Sequence, residues 1–134
     1  EIKMKIDHVG IAVRNIDESL TFYRDILGLE FEGIEVLEDR GLKTAFLKTG
    51  ESEIELLEPI SEDSTIYKFL EKKGEGIHHL AIEVDDVEEK IESMSKKGAE
   101  FIGEASMGAG GKKIVFIHPK STSGVLMELC QPGE

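Results

Sequence analysis

The chain repeats itself. The stretch Asp7-His8-Val9-Gly10-Ile11-Ala12-Val13-Arg14-Asn15-Ile16-Asp17-Glu18 returns seventy-one residues later as His78-His79-Leu80-Ala81-Ile82-Glu83-Val84-Asp85-Asp86-Val87-Glu88-Glu89. His8 falls under His79, Val13 under Val84 and Ile16 under Val87. The correspondence continues with Phe31 under Phe101 and Phe46 under Phe116. It ends with Ile54-Glu55-Leu56-Leu57-Glu58-Pro59 under Met127-Glu128-Leu129-Cys130-Gln131-Pro132. A duplicated module restricts the fold sharply, because one order of strands and helices must serve both copies.

Each copy reads βαβββ. Ile6 to Val13 is strand-like, and Asn15 or Asp17 can cap a helix whose Ile16, Leu20, Tyr23 and Leu27 share a face, with Gly28 ending it. Strand-like runs follow at residues 30–36, 44–48 and 53–58, broken at Gly33, Gly41 and Gly50. A connector helix lies within residues 61–75, capped by Asp63 or Ser64 and presenting Ile66, Phe69 and Leu70. The pattern then restarts with a strand at 77–84 and a helix at 87–97, where Val87, Ile91 and Met94 face inward. Asp86 and Glu89 resemble a capping box there, and Gly98 ends the helix. Strands at 100–103, 113–118 and 125–131 complete the second copy. The expectation is one α+β domain over residues 1–134: module 1 at about 5–59, the connector helix at about 61–75 and module 2 at about 77–132.

Composition narrows the function. A net charge of −12 argues against nucleic acid, whose binding draws on Lys and Arg at phosphates. No long uncharged apolar run is present, so no membrane span is expected, and no signal segment is visible, which points to the cytoplasm. The single cysteine, Cys130, cannot form an intramolecular disulfide or a CxxC site, so any metal must use His and carboxylate.

Strand alternation places His8 with Gly10 and Ala12, and His79 with Ala81, on faces lined by small residues that leave room for a ligand. Each module also pairs its early histidine with a late glutamate, His8 with Glu55 and His79 with Glu128. A buried carboxylate needs a partner. If the two modules bring these four side chains together, they form a His2Glu2 set suited to Zn, Co, Ni, Mn or Fe. A lone strand histidine is most often structural; two at equivalent places, each with its glutamate, favour metal binding. His78 lies on the opposite face from His79 and reads as a packing or supporting residue. From Ala105 to Met127 there is no Asp or Glu, while Lys112, Lys113, His118 and Lys120 follow or flank the glycine-rich run 108–111. That window is either a solvated loop or a site for phosphate or carboxylate.

These residues resemble the vicinal oxygen chelate superfamily over nearly the whole chain. Within it, Glu62-Asp63-Ser64-Thr65-Ile66, Gly76-Ile77-His78-His79 and Phe116-Ile117-His118-Pro119-Lys120 followed by Gly124-Val125-Leu126 resemble the methylmalonyl-CoA epimerase family. The resemblance implies an open, cup-shaped mixed β-sheet barrel (the glyoxalase fold) and a homodimer. It implies one divalent ion held by His8, Glu55, His79 and Glu128, with cobalt foremost and manganese, nickel or zinc as the others. Methylmalonyl-CoA would be the substrate, with coenzyme A contacts at His118, Lys120 and Ser121, joined by Lys112 from the positive window. Some members carry glutamine where this chain has Glu55 and a separate catalytic glutamate where it has Thr44. The expected bases are therefore Glu55 and Glu128 themselves. Glyoxalase I (lactoylglutathione lyase) is the nearest alternative, since it shares the ligand set and the enolate chemistry. A ring-cleaving dioxygenase fits less well, because Glu55 would fill a position that O2 needs. A metal-free small-molecule binding protein on the same fold has no use for four polar ligands.

Overall fold

The computed structural model describes residues 4–133, which separate into two compact units, residues 8–78 and residues 4–7 with 79–133. The first unit contains most of strand β1 (Lys5–Ala12), helix α1 (Ile16–Leu20), β2 (Glu30–Leu37), β3 (Leu42–Thr49), β4 (Ser52–Pro59) and α2 (Thr65–Lys73). The second contains most of β5 (Gly76–Glu83), then α3 (Val87–Lys96), β6 (Phe101–Met107), β7 (Lys113–Ile117) and β8 (Met127–Gln131). Strand order is β2-β3-β4-β1 in the first unit and β5-β8-β7-β6 in the second, so the duplicated sequence becomes a duplicated topology. In each sheet the first strand runs parallel to the last and the remaining pairs are antiparallel, which makes both sheets mixed; neither closes into a barrel.

Alternation along the strands decides what each face does. In the first unit Val13, Ile16, Leu20, Ala45, Leu47 and Leu56 bury against α1, while Ala12, Leu42 and Leu57 on the other face meet Ile66 and Leu70 of α2. In the second, Val84, Val87, Val115, Ile117 and Leu129 form the helix-side core, and Ala81, Ile114 and Cys130 cluster on the reverse. Burying each of the valines, leucines and isoleucines among them contributes about 1.5–3 kcal/mol before conformational entropy is set against it.

The helices begin where side-chain acceptors were expected. Asn15 Oδ1 accepts from the Glu18 amide at 2.8 Å, Ser64 Oγ from Tyr67 at 3.0 Å and Asp86 Oδ1 from Glu89 at 3.1 Å. A second clasp was not foreseen. Glu58 Oε1 accepts from the amide of Ile16, the first residue of α1, at 2.7 Å, and Gln131 Oε1 accepts from Val87, the first residue of α3, at 2.9 Å. Backbone bonds beside them also match, Val13 N–H to Leu57 O and Val84 N–H to Cys130 O, both 2.9 Å. In both units the end of the last strand therefore holds the start of the first helix.

The first helix departs from expectation. A continuous helix over 16–27 would turn Leu27 inward, but α1 widens after Leu20 into a π-helical segment, Thr21–Ile26, closed by a Leu27 N–H to Phe22 O bond of 2.7 Å. The extra residue in that turn rotates the stripe off the core. Ile16 and Leu20 stay buried, whereas Phe22, Ile26 and Leu27 are about half or more exposed. Gly41 has φ +67°, and a Cβ there would stand 2.8 Å from Ser61 Oγ, so the turn into β3 admits only glycine without displacement. No helix among the described residues is long and apolar enough to cross a membrane.

Candidate metal and acid–base site

In the first unit the register of β1 on β4 sets Gly10 opposite Glu55, and that of β3 on β4 sets Phe46 opposite Glu55. Side chains opposite one another share a face. His8, two residues before Gly10, therefore reaches along the sheet to Glu55, and its Nε2 lies 3.1 Å from Oε1. Both residues are buried, at 8% and 4% exposure. Gly10 between them has no side chain to fill the gap, and this small-residue face is what lets two polar groups share space inside the sheet.

The second unit repeats the arrangement. Ala81 and Phe116 both stand opposite Glu128, and His79 Nε2 lies 3.4 Å from Glu128 Oε1. Again both are buried, each at 5% exposure. The edge of the Phe116 ring meets the His79 imidazole with centroids 5.8 Å apart, which fixes the ring plane.

The donor chemistry fits a divalent ion within each pair. Two donors each about 2.1 Å from one ion stand roughly 3.0 Å apart at a right angle and about 3.4 Å apart at the tetrahedral angle. The observed separations of 3.1 and 3.4 Å fall in that range. Imidazole nitrogen with carboxylate oxygen suits borderline transition metals, and the buried carboxylates need cationic or hydrogen-bonding compensation in any case.

Other expected site residues lie in the second unit. The ring Nδ1 of exposed His118 accepts from the Lys120 amide at 3.1 Å, Lys120 Nζ lies 3.0 Å from Glu100, and Ser121 Oγ accepts from the Glu100 amide at 3.0 Å. These three share one short segment, Pro119–Ser121 with its cap. Lys112 is drawn elsewhere, its Nζ 2.7 Å from Asp7 Oδ2, and Lys113 lies 3.4 Å from Glu88. Each lysine of the positive window thus faces a carboxylate drawn from outside it, which the one-dimensional charge pattern did not reveal. Asp7 itself was missed, although a carboxylate directly before a strand histidine in an apolar run was a usable signal. It is buried; burial of the Cys130 thiol, joined by the charges of Asp7 and Glu128, pushes that thiol far above its usual range, against a smaller opposing effect of Lys112. Cys130 is therefore a protonated core thiol and no nucleophile. His78 packs edge-to-face on Phe69, with centroids 5.0 Å apart, and burial lowers its pKa to about 4.

A cavity of about 520 Å³ in the second unit opens on the helix-side face, lined by Met4, Ile6, Ile82, Met94, Met127 and Leu129 among others. Strand alternation keeps it apart from His79 and Glu128.

With this geometry in place, comparison with known proteins assigns the family. Residues 7–116 match the model of the Glyoxalase/Bleomycin resistance protein/Dioxygenase superfamily. The mouse mitochondrial methylmalonyl-CoA epimerase is 39% identical over 129 residues, 95% of this chain and 72% of that protein. The ethylmalonyl-CoA/methylmalonyl-CoA epimerase of Cereibacter sphaeroides is 38% identical over 130 residues, 95% of this chain and 97% of that one. Among solved structures, a variant of Streptomyces coelicolor methylmalonyl-CoA epimerase in complex with 2-nitronate-propionyl-CoA superposes with a TM-score of 0.90 at 39% identity, covering 97% of this chain and 98% of its own. The chain belongs to the glyoxalase superfamily, the class its tandem βαβββ modules define, and within it to the methylmalonyl-CoA epimerase family.

Proposed function

We propose that this protein interconverts (2R)- and (2S)-methylmalonyl-CoA. The observation that carries the reading is the pair of buried carboxylates, Glu55 and Glu128, each beside a histidine at the same place in the repeat. Epimerisation needs two acid–base groups acting on opposite faces of one carbon, and a duplicated module supplies two of a kind. The glutamates take these roles. One carboxylate accepts the C2 proton, the C–H electron pair moves onto the thioester oxygen, and the other carboxyl returns a proton from the opposite face, restoring the C–H bond with inverted configuration. A divalent ion, cobalt first and otherwise manganese, nickel or zinc, held by His8, Glu55, His79 and Glu128, would supply the positive charge that favours the enolate oxygen.

The coenzyme A portion is assigned to the segment His118, Lys120 and Ser121, with Lys112 as a further cation; Lys120 must then exchange Glu100 for a phosphate. The active form is a homodimer. Exposed apolar side chains on the edge strands, Ile34 and Val36 of β2 and Ile102 and Met107 of β6, support self-association.

Proton NMR in D2O tests the reading, with methylmalonyl-CoA and, separately, the methylglyoxal–glutathione adduct offered to the metal-loaded protein. Deuterium entering C2 of the first alone is the expected result. Turnover of the adduct alone would replace this reading with lactoylglutathione lyase.

A further inference from the structure

Thr44 is wholly buried on β3, and among the described residues its Oγ1 makes no hydrogen bond. A buried hydroxyl without a partner costs free energy that valine, of nearly the same shape, would avoid. The fold does not ask for it. The repeat places Ile114 at the matching position of β7: Thr44 stands opposite Leu57 as Ile114 stands opposite Cys130, and Phe46 opposite Glu55 as Phe116 opposite Glu128. An apolar side chain therefore serves the same lattice point in the second unit, where Ile114 is also buried.

The register shows what the hydroxyl can reach. Thr44 lies one diagonal step from Glu55, on the same face as Phe46, Leu57 and His8. Diagonal neighbours in an antiparallel pair have Cβ atoms roughly 7 Å apart, a span that a glutamate and a short hydroxyl can close. Ionised carboxylates accept several hydrogen bonds, so the Glu55–His8 contact leaves capacity for another donor. Carboxylates that bind metals are characteristically held by such a donor behind them.

We infer that Thr44 is a positioning residue for Glu55: its hydroxyl donates to the Glu55 carboxylate when that carboxylate turns toward a bound divalent ion. The inference rests on the metal-binding part of the proposed function, and it assigns a role to Thr44 as itself, a hydrogen-bond donor with no acid–base duty. It also accounts for a hydroxyl kept at a wholly buried position that the second unit fills with isoleucine.

The test uses the full chain stripped of metal, with Thr44→Val and Thr44→Ser beside the parent. Cobalt(II) is titrated calorimetrically, and the melting temperature of each metal-free protein is recorded. Thr44→Val is expected to weaken cobalt binding about 10- to 100-fold while leaving the metal-free melting temperature equal or higher, and Thr44→Ser to keep most of the affinity. Unchanged cobalt affinity in Thr44→Val overturns the inference. So does a fall in melting temperature matching the loss of affinity, which would mark Thr44 as structural. A parent that binds no cobalt removes the inference together with the metal reading. A parent that binds cobalt but exchanges no C2 proton refutes only the epimerase reading, and the Thr44 comparison still decides.

Discussion

Glu55 and Glu128 hold equivalent places but different neighbourhoods. Glu55 has Thr44 on its diagonal, where Glu128 has Ile114. Glu55→Gln and Glu128→Gln are each expected to lower the rate of epimerisation by roughly 10²–10⁴-fold, the range that a positioned acid–base group contributes. Each variant should retain one-sided deuterium exchange with a single enantiomer, and chiral analysis of the labelled product checks this. Full epimerisation by Glu55→Gln would refute its role. His78 offers a pH test. Its folded pKa of about 4 lies below the ordinary value of 6.5, so between these limits the unfolded chain binds more protons. The stability its neutral burial contributes is complete above about pH 6.5 and is lost as the pH falls toward 4, by at most about 2–3 kcal/mol for a half-buried ring. Urea midpoints at pH 7 and 4.5 should therefore fall less steeply in His78→Phe, which keeps the contact with Phe69.

Much of this scale was legible in the sequence. The pairing of His8 with Glu55 and of His79 with Glu128 could be read because alternation and repetition are properties of a linear string. The idle hydroxyl of Thr44 and the ion pair Asp7–Lys112, which joins residues 105 positions apart, could not, since nothing local encodes a partner that arrives from another strand. The ion pairs of the positive window were hidden for the same reason, its lysines meeting Asp7, Glu88 and Glu100 only after folding.

At the scale of elements, strand positions and caps followed from period-two patterning and from Asn15, Ser64 and Asp86. The π-helical turn after Leu20 did not, because helical periodicity assumes a constant number of residues per turn. The clasps by Glu58 and Gln131 join a strand end to a distant helix start, a relation that neither copy's local pattern expresses. Glu58→Ala and Gln131→Ala should each destabilise by about 0.5–2 kcal/mol, as loss of a helix cap does, measured as a shift in the urea midpoint with no change of slope. Lys120→Ala, on the short segment after β7, is expected to raise KM for methylmalonyl-CoA about tenfold with little change in kcat, because it would remove contact with the carrier and not with the reacting carbon.

At the scale of the molecule, duplication made the order of elements readable from the residues alone, and the two units repeat one topology strand for strand. The proposed self-association leaves no periodic trace in a single sequence, since exposed Ile34, Val36, Ile102 and Met107 read as ordinary strand residues. Light scattering at micromolar concentration should give twice the mass of the chain, and Ile34→Lys with Val36→Lys should yield monomers.

The clasps also bear on the order of folding. Amides at the start of a helix ordinarily exchange with solvent early, because no turn precedes them. Here the first amides of α1 and α3 are tied to acceptors 42 and 44 residues further along the chain, so those two amides find their partners only when the last strand of the unit has docked. Completion of each helix start, beyond its local cap, is thereby tied to a long-range closure. The Ile16 and Val87 amides should then rank with the central strands among the slowest to exchange.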